Sequence, residues 1–170
     1  MRFPLLLLLV VAGPLVLGAE SETEPTKPPP RQMRLLTVGE MPPFRQEIRN
    51  GVRYQLPAPP GSLPPVALEV MVPNAKGTEK ESGSFRPRLG SVSAPVEVPG
   101  GAGPLRLRVP ESGAESEPWC EVQRPESGDF VVVMWRDGRV NNWDKPSALV
   151  IPAALSVGKA TLVNVAPGPV

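Results

Sequence analysis

Five short runs of alternating apolar residues each stop at a proline: Val66–Val72 before Pro73, Val96–Val98 before Pro99, Leu105–Val109 before Pro110, Trp119–Arg124 before Pro125, and Leu149–Ile151 before Pro152. Proline fixes φ and has no backbone N–H, so it interrupts a ladder of inter-strand hydrogen bonds. Period-two runs ended in this way read as short strands of an all-β domain. They constrain architecture and carry no chemistry of their own.

The first residues point to export. Arg2 is a small positive n-region, Leu5–Val11 an apolar h-region, and Gly13-Pro14 breaks the run before Leu15–Ala19 and the polar Glu20-Ser21. This pattern predicts a signal peptide cleaved after Ala19, with an uncleaved anchor as the alternative. The interrupted apolar stretch is short for a ~30 Å hydrocarbon core, so no membrane span is expected after cleavage. Removing 19 of the 170 residues leaves 151, enough for one domain of ordinary size. The expected organisation is a signal peptide over 1–19, a proline-rich disordered leader over 20–32, and one β-rich domain over 33–170. Localisation is expected in the periplasm, outer envelope or extracellular space.

Arg2 leaves with the signal, so 17 basic residues balance 17 acidic ones. A neutral chain gives no reason to expect nucleic acid as a partner. The charge is nevertheless segregated. Six basic residues fall between Lys27 and Arg53, and six acidic ones between Glu111 and Asp129. Solvated loops and strand faces explain this, and a self-complementary pair of patches is the sharper alternative. Cys120 is the single cysteine, so no internal disulfide can staple the fold. Its neighbours Trp119 and Val122 favour burial over pairing with another chain.

Along the chain, Met33–Val38 is the first expected strand. Phe44–Arg49 and Val52–Leu56 flank Asn50-Gly51, a type I′ hairpin signal that would pair Arg49 with Val52, Ile48 with Arg53 and Glu47 with Tyr54. A short helix over Phe44–Arg49 is the alternative. Pro57–Pro65 reads as a stiff connector, Val66–Val72 as a strand with Val66, Leu68, Val70 and Val72 on one face, and Asn74–Ser84 as a mobile loop. Phe85–Leu89, Ala94–Val98 and Leu105–Val109 follow as strands, the last with Arg106 and Arg108 outward. Phe130–Arg136 and Arg139–Trp143 flank Asp137-Gly138, so a central hairpin is expected with Trp135 facing Val140 and Val132 facing Trp143. Ala148–Ile151 and Ala160–Val165 close the set, with a helical turn possible over Pro152–Val157. Pro-Glu-Ser-Gly recurs at 110–113 and 125–128 as turn chemistry. The expected fold is a single β-sandwich or open barrel of about eight or nine short strands.

The chain has no histidine. That removes the commonest general base, the commonest metal ligand and the Ser-His and Cys-His nucleophile pairs. A glutamate pair of the glycosidase kind is geometrically allowed, though no spacing selects one. Asp137–Asp144 carries four oxygen-bearing side chains, but Arg139 stands at the third position, where a calcium loop wants an oxygen ligand, and Gly138 comes at the second position although such a loop wants its glycine at the sixth. No cofactor is expected. Trp119, Trp135 and Trp143 are three of the chain's few aromatics, and Trp135 on its valine-rich run belongs to the core. Trp143, with Asn141, Tyr54 and Trp119, forms the candidate ligand surface, either part of the core or a platform for a sugar ring.

Phe130–Arg136, Trp143–Pro146 and Leu162–Pro167 together resemble exported β-rich proteins of planctomycete- and verrucomicrobial-type bacteria, a group for which no activity is implied. Leu162–Pro167 also resembles the opening strand of small secreted Ig-like or cupredoxin-like modules. The expected function is that of a non-catalytic exported β-sandwich with a structural or protein-interaction role at the cell envelope. The alternatives are a glycan-binding module using exposed aromatics and a glutamate-pair hydrolase.

Overall fold

The computed structural model describes residues 28–73, 78–110, 117–136 and 142–153. Ten strands and no helix occupy these residues: β1 (Arg31–Val38), β2 (Gln46–Arg49), β3 (Val52–Gln55), β4 (Leu68–Pro73), β5 (Glu79–Phe85), β6 (Val96–Val98), β7 (Gly103–Arg108), β8 (Cys120–Arg124), β9 (Phe130–Trp135) and β10 (Ser147–Pro152). Two four-stranded sheets, ordered β10-β9-β1-β6 and β5-β4-β7-β8, form a sandwich, while β2 and β3 pair with each other and with neither sheet.

Alternation sets the core. Met33 and Leu35 of β1, Leu68, Val70 and Val72 of β4, Leu105 and Leu107 of β7, Val122 of β8, and Phe130, Val132 and Met134 of β9 point inward into one buried cluster. Fully burying a side chain of this kind contributes about 1.5–3 kcal/mol relative to leaving it in water. The sandwich also closes along its margins. At one, Ser82 Oγ of β5 donates to Glu97 O of β6 at 2.7 Å, and a Cβ at Gly83 would stand 2.6 Å from Val96 Cγ1. At the other, β8 approaches β10.

The prolines are tolerated where the ladder has no use for their N–H. Pro73 is the last residue of β4, beyond Glu69–Met71, the stretch that pairs with β7. Pro104 lies within β7 and pairs with Gln123 of β8, but β4 reaches only Arg106–Arg108 of that strand. Pro152 ends the edge strand β10. Each sits at an edge or an end.

Several expectations are corrected. Val66 is 87 % exposed and lies outside β4, which begins at Leu68. Most of the expected Asn74–Ser84 loop is strand: β5 spans Glu79–Phe85 and pairs antiparallel with β4 across a bulge at Val70/Met71. Phe85 therefore ends a strand instead of opening Phe85–Leu89, and Leu89 makes only an isolated bridge to Thr37. The expected hairpin over Phe130–Trp143 does not form. β9 is an interior strand, parallel to β1 with Val132 opposite Leu35 and antiparallel to β10 with Val132 opposite Val150 and Trp135 opposite Ser147. Both its edges are taken, so residues 142 and 143 cannot pair with it. Trp135 is half-buried and not a core residue. The Asp137-Gly138 turn, Val140, Ala160–Val165, residues 154–157 and the leader up to residue 27 lie outside the described residues.

Candidate interaction surface

Trp143 anchors one end of the sandwich. Its backbone N–H donates to Gly61 O at 2.8 Å, a Cβ at Gly39 would lie 3.4 Å from its ring, and the residue is 2 % exposed. Trp119, just before β8, stacks on it with ring centroids 6.4 Å apart and planes inclined by 24°. The Trp119 indole Nε1–H donates to Trp143 O at 2.6 Å. Of the two readings of Trp143, core or sugar platform, the structure bears out the core: aromatic area in a small domain is drawn inward, and this indole keeps a buried Nε1 without a partner among the described residues. Asn141 lies outside the described residues. Asn142 Nδ2 donates to Asp144 Oδ2 at 2.8 Å, so these two side chains occupy each other.

Trp119 borders a cleft of about 560 Å³ between β8 and β10, together with Glu117, Cys120, Glu121, Asp144 and Lys145. Burial, and then the Glu121 charge, pushes the Cys120 thiol up to about 11. At neutral pH it is a protonated thiol and no nucleophile. On the outer face of the second sheet, Glu79 accepts from Arg106 Nη1 at 2.7 Å and from Arg108 Nη2 at 2.6 Å, and Arg106 Nε reaches Glu121 at 3.0 Å. Its hydrogen bond with Arg106 above all holds the Glu79 carboxyl below its ordinary range. A carboxylate kept ionised by two guanidiniums is a structural clamp; a general acid needs the opposite shift. None of the ion pairs among the described residues joins the basic segment Lys27–Arg53 to the acidic segment Glu111–Asp129.

Tyr54, the fourth candidate, lies elsewhere, on the β2–β3 hairpin. Asn50 (φ 53°) and Gly51 (φ 77°) form the turn in the left-handed region that a type I′ loop requires. The register is the expected one, Arg49–Val52, Ile48–Arg53 and Glu47–Tyr54, and Leu56 N–H extends it by donating to Arg45 O. Both faces are open: Ile48 is 66 % exposed, Val52 53 % and Tyr54 49 %, and nearby Met41 and Phe44 are as open. Its base is anchored. Arg136, at the end of β9, donates to Glu40 O before the hairpin and to Ser62 O after it, each at 3.3 Å. A lone two-stranded hairpin is marginal in water, and a cluster of exposed large apolar side chains marks contact surface. The turn and register are legible in the sequence; the apolar exposure is hidden because Ile48, Val52 and Tyr54 are interleaved with Glu47, Arg49, Arg53 and Gln55.

Comparison of the chain with protein-family models, with curated proteins and with solved structures returns no match.

Proposed function

We propose that this chain is an exported, non-catalytic β-sandwich that works by protein–protein contact at the cell envelope, with the β2–β3 hairpin as its contact arm. The observation that carries the reading is the hairpin itself: Ile48, Val52 and Tyr54 stand in solvent on an element bonded to neither sheet. Arg45 and Arg53 flank these residues without an ion pair among the described residues, whereas Arg49 holds Glu47 at 2.7 Å. The matching partner surface is apolar and rimmed by carboxylates. Export rests on the Arg2, Leu5–Val11 and Ala19 pattern, and N-terminal sequencing of the mature protein tests it, the expected first residue being Glu20. Among the described residues no helix is long and apolar enough to cross a membrane.

Replacing Ile48, Val52 and Tyr54 together by serine tests the contact role. The sandwich makes no ladder contact with the hairpin, so its melting temperature is expected to stay put while co-fractionation with the envelope is lost. Unchanged co-fractionation would remove the hairpin from the account.

A second reading, glycan binding, is favoured by the cleft beside Trp119, where an aromatic ring and polar side chains line one wall. Titration with oligosaccharides against a Trp119→Ala variant tests it; saturable binding lost in that variant supports it.

A further inference from the structure

Two arginines at one end of the sandwich make no ion pair among the described residues. Arg31 opens β1 and is 7 % exposed. Its guanidinium lies 5.8 Å from the Phe130 ring centroid and donates to Gly128 O and Gly101 O, while its Nε is buried without a partner among the described residues. Arg124 closes β8. Its Nη1 donates to Pro99 O at 2.7 Å and its Nε to Gly103 O at 3.4 Å. Among the described residues no carboxylate lies within ion-pair distance of either, in contrast to Arg106 and Arg108, which share Glu79.

Carbonyl oxygens take up part of the hydrogen-bonding capacity of the two guanidiniums and leave both full charges in place. A charge removed from water is costly unless an opposite charge meets it. The two guanidiniums feel each other: burial first, and then the Arg31 charge, lowers the proton affinity of Arg124. The backbone is shaped around them. Gly101 (φ 84°), Gly103 (φ 140°) and Gly128 (φ 77°) occupy conformations that side chains disfavour, and a Cβ at Gly103 would lie 3.0 Å from Arg124 Nη2. That Nη2 has no protein partner among the described residues.

Arg124 faces a cleft of about 710 Å³ whose walls are Pro28–Pro30, β5 and β6. Lys80 lines the same cleft, as do Glu81 and Glu97, and none of the three makes an ion pair among the described residues. We propose that this cleft binds a carboxylate, held by Arg124 with Arg31 as the buried charge behind it. A carboxylate is the anion that the unpartnered Nη2 of this guanidinium would meet with a charge-assisted hydrogen bond. It would neutralise the pair that the fold leaves open.

The test is a ¹⁵N–¹H NMR titration of the full mature chain with N-acetylglutamate, with glucuronate and, as charge control, with sodium chloride at equal ionic strength. The expected result is saturable shifts of the Arg124 Nε–H and of the Gly101 and Gly103 amides with a carboxylate and none with chloride. The tighter of the two carboxylates tells a peptide source from a sugar source. In Arg124→Gln, affinity is expected to fall about tenfold or more, the loss of a charge-assisted hydrogen bond. Arg124→Lys, which keeps the charge and loses the fork, is expected to fall between, and serves if the glutamine variant does not fold. Shifts that follow chloride as well as carboxylate, no saturation, or equal affinity in the variants would overturn the proposal.

Discussion

Gly83 in β5 tests how the two sheets meet. An ideal Cβ there would stand 2.6 Å from Val96 Cγ1, whereas carbon atoms in comfortable contact are about 3.5–4.0 Å apart. Roughly 1 Å of overlap must therefore be relieved. Val96 is β-branched, with few rotamers to escape into, and it belongs to a three-residue edge strand held to β1 through Met33, Gln32 and Arg31. Moving β6 outward strains that short ladder. Overpacking of this kind costs about 1–3 kcal/mol, against about 0.4–1 kcal/mol gained because alanine restricts the unfolded chain and Gly83 has no positive φ. Gly83→Ala is therefore expected to destabilise by about 1–2 kcal/mol, lowering the melting temperature by roughly 3–10 °C. The assay is a double-mutant cycle with Val96→Ala, followed by urea unfolding. The cost of Gly83→Ala should largely vanish once the valine methyls are gone. A Gly83→Ala protein as stable as the parent, or the same cost on both backgrounds, would refute the β5–β6 closure.

Phe130→Ala removes a fully buried ring between β1 and β10 and is expected to cost about 3–5 kcal/mol by urea unfolding. The Glu79 carboxyl binds its proton less tightly when folded than its ordinary value of 4.5, so its contribution is complete above that value and lost as pH falls through the lower folded value. Glu79→Gln should flatten the acid limb of the stability–pH curve, which chemical unfolding between neutral and acid pH will show. With its thiol at about 11, Cys120 should react with a thiol reagent at mildly alkaline pH about a hundredfold more slowly than in the unfolded chain, with the rate still climbing above the ordinary value of 9.0.

The strands that sequence reading identified are those whose side chains alternate over a buried face. Leu105 and Leu107, or Leu68, Val70 and Val72, announce their pairing through hydrophobic period. Asn50-Gly51 announces a register outright, because few residues tolerate its backbone. β5 was illegible: Glu79–Phe85 carries a single large apolar residue, Phe85, so what makes it a strand is backbone pairing with β4. The partners of β9 were misassigned for a related reason. Asp137-Gly138 is a strong local turn signal, whereas the uninterrupted run Phe130–Trp135 marks a strand flanked on both edges by partners distant in the chain. For Trp143 the sequence leaves core and surface platform both open, because its burial depends on Gly39 and Gly61, whose approach no local pattern encodes. Arg31 and Arg124 are 93 positions apart and share one end of the sandwich only after β1 and β8 are placed in their sheets.

The most direct measurement is site-specific photocrosslinking in the intact producing cell, with the photoreactive residue at position 54 on the hairpin and, as control, at position 123, exposed on β8 and lining neither cleft. A hairpin that is the contact arm yields a discrete adduct of one mass from position 54 and none from position 123. Equal labelling from both positions, or none from position 54, would contradict the assignment of function to β2–β3.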